Sequence, residues 1–154
     1  MFREILHGRF LGHPIHAMLV HFPVGLFTAG ACFDVIAIWT KSAQLPVVSF
    51  YCIAGGLITG SAAMLFGLVD YISLANDERL FRKAGRHALL QLTAWLIFAG
   101  VFGLKFSGYP DLPVPDPGIL IPETAAVLLM FIGNFIGGEL VYKDGIGTSP
   151  GKSE

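Results

Sequence analysis

Four long apolar stretches alternate with shorter polar segments along the chain. About 20 helical residues cross the roughly 30 Å of hydrocarbon in a bilayer, and each stretch reaches that length. The pattern therefore predicts an all-α integral membrane four-helix bundle. The predicted spans lie near residues 15–39, 47–72, 87–106 and 119–142. The whole chain, residues 1–154, then forms a single membrane domain with a flexible tail after residue 143.

The three predicted connections differ in character. Residues 41–46 are too few for anything but a tight turn. Residues 73–86 are rich in charge and predict a short surface helix. Residues 107–118 contain four prolines, which are incompatible with a helix interior.

The composition supports a membrane protein. The chain is 54% hydrophobic and 14% charged, with a mean hydropathy of +0.67. A soluble domain carries about a quarter of charged residues, so the surface of this chain is expected to face lipid. The net charge of −1 argues against a nucleic-acid partner.

The two sides of the predicted bundle differ in Lys and Arg content. One side carries Arg3, Arg9, Arg79, Arg82, Lys83, Arg86, Lys143 and Lys152. The other side carries Lys41 and Lys105. Because positive residues are enriched on the cytoplasmic side of bacterial membrane proteins, both termini are expected in the cytoplasm.

Histidines cluster where the first span begins. His13, His16 and His21 lie at that end, and His87 begins the third predicted span at a similar depth. Ionisable side chains are costly inside a bilayer and usually serve a function there. His16 and His21 are separated by about 140° around a straight helix, so both should not ligate the same small ion.

The leading hypothesis is a haem b site for membrane electron transfer. A haem iron in a four-helix bundle takes imidazoles from two helices at similar depth. His21 and His87 are the favoured axial ligands, with His16 as the substitute. The other residues expected around the site are His13, Asp70, Arg86 and Gln91. Among these, the Asp70 carboxylate is the candidate acceptor that fixes an imidazole tautomer. Redox proteins or a quinone are the expected partners.

Three alternatives remain open on the sequence alone. His16, His21 and His87 could hold a non-haem transition metal. Asp34 and Glu123, predicted at similar depth in the other half of the membrane, could pair and move protons or a solute. We find no convincing internal repeat of the kind that transporters show. In the third alternative the protein is a non-catalytic membrane subunit, and its histidines bond to neighbouring carbonyls.

Glycines spaced four residues apart occur in two spans. Gly56-x-x-x-Gly60 and Gly133-x-x-x-Gly137 predict grooves that let helix backbones approach closely. Such grooves fit packing within one chain and packing between two copies equally well. The sequence therefore leaves a homodimer open.

The opening motif resembles a known family. It reads Gly12-His13-Pro14-x-His16-x-x-Leu19-x-His21-Phe22-Pro23-x-Gly25. Three later motifs also match: Gly67-x-x-Asp70, Arg86-His87 and Gly137-Gly138-x-Leu140-Val141-Tyr142. Together they resemble the bacterial multi-helix membrane family called domain of unknown function 2231. The resemblance implies a four-helix inner-membrane fold and suggests redox proteins as partners, but it implies no activity.

Overall fold

The computed structural model describes residues 9–10 and 13–146, with side chains from residue 15. Two short strands, β1 (Arg9–Phe10) and β2 (His13–Pro14), pair in antiparallel fashion. The helices that follow are α1 (Ile15–Leu19), α2 (His21–Thr40), α3 (Leu45–Ser73), α4 (Glu78–Phe106) and α5 (Pro117–Tyr142).

Four helical segments are long and apolar enough to cross a membrane. The first span, Ile15–Thr40, comprises α1 and α2, and the second, third and fourth spans are α3, α4 and α5. Their most apolar windows have mean hydropathies between 1.7 and 1.9. The predicted all-α fold with four spans is confirmed. The tail predicted after residue 143 lies, from residue 147 onward, outside the described residues.

A single-residue interruption divides the first span at Val20. Pro23 explains it, because proline has no N–H to donate and its ring crowds the carbonyl of Leu19 four residues earlier. Hydrogen bonds still cross the break: Val20 N–H donates to the His16 carbonyl at 3.1 Å, and Val24 N–H donates to the Val20 carbonyl at 3.3 Å. The span therefore stays continuous while its direction and rotation adjust locally.

Two helix starts differ from the prediction. The surface helix predicted over residues 73–86 is wrong, because residues 78–86 form the first turns of α4. Asp77 caps this helix by accepting a hydrogen bond from Leu80 N–H at 3.0 Å. At α5, the Asp116 carboxylate accepts from Gly118 N–H at 2.8 Å, and Pro117 takes the first helical position.

The buried positions of the first span recur in the third. Pro23, Phe27, Gly30 and Asp34 correspond to Ala94, Phe98, Val101 and Lys105, each pair separated by 71 residues. The second and fourth spans correspond in the same way, with an offset one residue shorter. There the matching buried positions are Ile53, Gly56, Gly60 and Ala63 against Glu123, Ala126, Met130 and Gly133. The buried positions of one hairpin thus recur in the other, a correspondence that we call the duplication and that the sequence alone did not reveal.

Corresponding residues of the two hairpins meet in the middle of the bundle. The rings of Phe27 and Phe98 stack with centroids 4.2 Å apart and planes 5° apart. Asp34 and Lys105 form a buried ion pair. Because the first and third spans run in the same direction, the hairpins are related by rotation about an axis along the bundle. We call this axis the pseudo-two-fold axis.

The glycine grooves are filled by the chain's own side chains. A Cβ atom on Gly56 would lie 2.6 Å from the Phe27 ring, and one on Gly60 would lie 3.0 Å from the Trp95 ring. A Cβ atom on Gly133 would lie 2.8 Å from the Gln91 amide nitrogen. These glycines therefore serve packing within the chain, and they provide no argument for a homodimer.

Ion pairs join the beginning of α4 to the end of α5. The Asp144 carboxylate accepts from Lys83 Nζ at 2.7 Å and from Arg79 Nη2 at 2.9 Å. The hydrogen bond from Lys83 is the main reason why the pKa of Asp144 lies below its usual value. Lys83 also lies 3.2 Å from Glu139. This network holds the third and fourth spans together at one end of the bundle.

Candidate functional site

His16 and His87 project into the bundle from opposite hairpins. His16 Nδ1 lies 2.8 Å from the carbonyl oxygen of Ala63, and His87 Nδ1 lies 2.7 Å from that of Gly133. A carbonyl oxygen only accepts, so each Nδ1 carries the hydrogen and donates it. In the neutral ring with its hydrogen on Nδ1, Nε2 keeps a lone pair, which is the form in which histidine binds a metal.

The two imidazoles face each other across the pseudo-two-fold axis. Their ring centroids are 6.3 Å apart and their planes meet at 83°. An ion bound by two imidazole nitrogens at about 2.0–2.1 Å each would separate the centroids by roughly 6 Å. The observed centroid separation of 6.3 Å is close to this value.

A glycine admits each ring. A Cβ atom on Gly67 would lie 2.8 Å from His16 Cε1, and a Cβ atom on Gly137 would lie 2.8 Å from His87 Cε1. Each glycine follows, by one helical turn, the residue whose carbonyl accepts from that histidine. Both hairpins thus present an imidazole with the same carbonyl and glycine arrangement.

His16, rather than His21, lies opposite His87. The His21 ring is exposed, and its Nδ1 lies 3.4 Å from the Met18 carbonyl of its own helix. Helical rotation explains the difference, because His16 shares the buried face of the first span and His21 does not. The side chain of His13, the fourth histidine expected at the site, lies outside the described residues.

The predicted non-haem metal trio does not come together. The His21 ring is exposed and contacts the Met18 carbonyl of its own helical region, whereas His16 and His87 lie against each other. Across residues 15–146, no group of three or more His, Cys, Asp and Glu side chains is arranged to hold a metal ion. The described geometry thus offers two imidazoles on the axis and no third protein ligand.

The other residues predicted around the histidines take different positions. Gln91, one turn after His87, donates its amide N–H to Asn134 Oδ1 at 2.7 Å and to the Met130 carbonyl at 3.2 Å. The carbonyls of Ala63 and Gly133 accept from Nδ1 of His16 and His87, and a role for Asp70 in fixing an imidazole tautomer stays a prediction. Arg86 is exposed and lies next to His87 in sequence.

A basic groove opens at the histidine end of the bundle, meaning the end that carries Ile15, Ser73, Glu78 and Tyr142. Its lining residues are Arg79, Arg82, Lys83, Arg86, Ile136 and Glu139. Arg86 directly precedes His87 in the sequence. Ile136 directly precedes Gly137, the glycine that lies against the His87 ring. The groove is thus a basic surface at the histidine end, where Arg79 and Lys83 are already paired with Asp144.

Asp34 and Glu123 lie together near the opposite end, as the sequence predicted from their depths. Both side chains are buried, with 0% and 1% exposure. Sequence reasoning missed two companions, because it took Lys105 as a surface charge and gave Ser49 no role. Ser49 Oγ donates to Asp34 Oδ2 at 2.8 Å, and Lys105 pairs with the same oxygen. Lys105 follows Asp34 by the same number of residues as His87 follows His16. This shared spacing is the feature of the sequence that could have identified Lys105.

These features define a four-span helical membrane protein in which a duplicated hairpin presents two imidazoles to one central position. The chain matches the family described as predicted membrane protein (DUF2231) over residues 12–150, and it belongs to that family. This confirms the resemblance seen in the motifs. Comparison with curated proteins and with solved structures gives no match.

Proposed function

We propose that His16 and His87 are the two axial ligands of one haem b and that the protein carries electrons in the membrane. The observation that carries this proposal is the facing imidazole pair, with ring centroids 6.3 Å apart and each Nδ1 bonded to a carbonyl. When bound, haem b would supply a one-electron redox centre. The number of facing imidazoles fits the group, because a haem iron takes only two ligands from the protein.

The duplicated architecture supports a ligand on the axis. His16 and His87 occupy corresponding positions, as do Gly67 and Gly137. An ion between the imidazoles would therefore have two equivalent ligands on opposite sides. This arrangement suits an iron whose remaining four positions are filled by a porphyrin. It does not suit structural zinc, which takes four ligands in a tetrahedron.

The basic groove supports a cofactor with acidic substituents. Haem b carries two propionates, and guanidinium groups bind carboxylates through paired hydrogen bonds. Arg82 and Arg86 line the groove and are both exposed, so they are the candidates to hold the propionates. The role of these residues would be to orient the cofactor and to balance its charge.

The distribution of charge supports a cytoplasmic location for the histidine end. The described cations at that end are Arg79, Arg82, Lys83, Arg86 and Lys143. At the other end Lys105 is buried in an ion pair, and Lys41 is exposed. Because exposed Lys and Arg favour the cytoplasmic side, we place the protein in a bacterial inner membrane with the histidine site near the cytoplasm. A redox protein or a quinone is the expected electron partner.

Optical spectroscopy tests the proposal. The detergent-purified protein, expressed with haem precursor supplied and then titrated with haemin, is expected to hold one haem per chain. The dithionite-reduced spectrum should show the sharp α band of six-coordinate, low-spin haem b, because two imidazoles complete the coordination of the iron. Folded protein that takes up no haem in this titration would contradict the proposal.

A structural role for the histidines is the second candidate. The bonds from His16 and His87 to backbone carbonyls already satisfy one N–H of each ring and tie the two helices of each hairpin together. In that case the protein would be a non-catalytic membrane subunit. The same haemin titration separates the two candidates, because a purely structural pair would take up no haem.

A further inference from the structure

The cluster near the opposite end of the bundle draws one side chain from every span. Its members are Asp34, Ser49, Lys105 and Glu123, which we call the Asp34 cluster. Their exposures are 0%, 0%, 6% and 1%, respectively. The cluster lies far from the histidine end, and the proposed haem site uses none of its residues.

The cluster interrupts the duplication of the core. Asp34 corresponds to Lys105 across the axis, so the two positions carry opposite charges. Glu123 corresponds to Ile53, which is also fully buried. An apolar residue therefore suffices for packing at this position of the first hairpin. The carboxyl group of Glu123 adds chemistry that packing does not require.

Hydrogen bonding within the cluster is incomplete. Asp34 Oδ2 accepts from Ser49 and pairs with Lys105, and Lys105 Nζ also donates to Ser49 Oγ at 2.9 Å. Asp34 Oδ1 and both Glu123 oxygens have no donor among the described residues. A buried carboxylate without a donor is strongly unfavourable, and more so at the depth of a membrane.

A proton on one carboxyl group would supply the missing hydrogen-bond donor and would balance the charges of two carboxyl groups and one lysine. The Glu123 carboxyl lies within hydrogen-bonding range of Asp34. Two carboxylates cannot form that bond unless one of them is protonated, because both only accept. One lysine balances one carboxylate, so the cluster reaches neutrality when the second carboxyl keeps a proton.

We infer that the Asp34 cluster is a proton-binding site in which Glu123 holds one proton and donates it to Asp34 Oδ1. The groups that face this proton are Asp34 of the first span, Ser49 of the second and Lys105 of the third. Asp34 is the acceptor in this arrangement, since its other oxygen already pairs with Lys105. This makes the buried cluster a store of one exchangeable proton within the membrane-spanning bundle.

Infrared spectroscopy at neutral pH tests the inference directly. The wild-type protein is expected to show the C=O band of a protonated carboxyl group, which shifts in D2O. Glu123→Gln should remove that band, since the amide keeps the shape and the donor but cannot be a carboxylic acid. Glu139→Gln is the matched control, because Glu139 is ion-paired with Lys83 and Lys143 and should contribute no such band.

A second variant keeps the inference testable if Glu123→Gln does not fold. Lys105→Met removes the only cation that contacts Asp34 among the described residues, so Asp34 should then take up a proton as well. The carboxylic band should increase from one protonated group per chain to two. Absence of the band in wild-type protein, its survival in Glu123→Gln, or an unchanged intensity in Lys105→Met would overturn the inference.

Discussion

Replacing either His16 or His87 with alanine is expected to abolish stable haem binding. Each substitution removes one of the two proposed ligands together with its hydrogen bond to the carbonyl of Ala63 or Gly133. Loss of a residue that merely orients a metal ligand lowers affinity about 10- to 100-fold, and loss of the ligand itself should exceed that. The measurement is haem content per chain, with the affinity for haemin determined by titration.

His21→Ala is the matched control for both variants. His21 comes from the same motif and the same helical region as His16, but its ring is exposed and does not face His87. It should bind haem as the wild type does. Added imidazole should restore a low-spin spectrum to His87→Ala, because the missing ring leaves a space of that size. Unchanged haem binding in His16→Ala or His87→Ala would contradict the assignment of these ligands.

Adding a single methyl group beside either imidazole is expected to disturb the site almost as strongly. In Gly67→Ala and Gly137→Ala, the new Cβ atom would lie 2.8 Å from the histidine ring. The ring must move, and its hydrogen bond to the carbonyl prevents free movement. Overpacking of this kind costs about 1–3 kcal/mol. We expect a lower thermal unfolding temperature and weaker haem binding in both variants.

Two other glycines provide controls with the opposite expectation. A Cβ atom on Gly100 or Gly103 would meet nothing within 4 Å. Alanine at these helical positions is favoured over glycine by about 0.5–1 kcal/mol, so Gly100→Ala and Gly103→Ala should be at least as stable as the wild type. If Gly67→Ala and Gly137→Ala behaved like these controls, the close approach of the imidazoles to the glycines would be contradicted.

The sequence predicts the spans well because the length of an apolar stretch is a direct physical requirement of the bilayer. The third span shows where this signal fails. Its helix begins at Glu78, whereas hydropathy alone placed its start at residue 87. The first turns are charged, and their helical state depends on the cap that Asp77 provides. Asp77 is a residue type that commonly caps helices, but the turns that follow it are polar. Hydropathy therefore gives no reason to extend the predicted span back to Glu78.

The imidazole pair was only partly predictable. Depth along the spans identified both His16 and His87 as candidates. Which histidine of the first span faces His87 depends on contacts between helices, in particular the bond from His16 to the Ala63 carbonyl and the space at Gly67. Neither contact has a local sequence signal, because the partners lie in different spans.

The duplication was hidden because corresponding residues share burial rather than identity. Pro23 corresponds to Ala94 and Gly30 to Val101, which have little chemistry in common. Phe27 and Phe98 are identical, but one such pair does not establish a repeat. Once burial is known, the nearly constant offset between the hairpins is evident, and it relates both polar sites to the same axis.

Electron paramagnetic resonance of the ferric, haem-loaded protein tests most directly whether His16 and His87 bind one iron. Their ring planes meet at 83°, and near-perpendicular imidazoles leave the two iron dπ orbitals almost equal in energy. We therefore predict a single, highly anisotropic low-spin signal with a large maximum g value. A rhombic low-spin signal, typical of parallel imidazole planes, or a high-spin signal would contradict ligation by this pair.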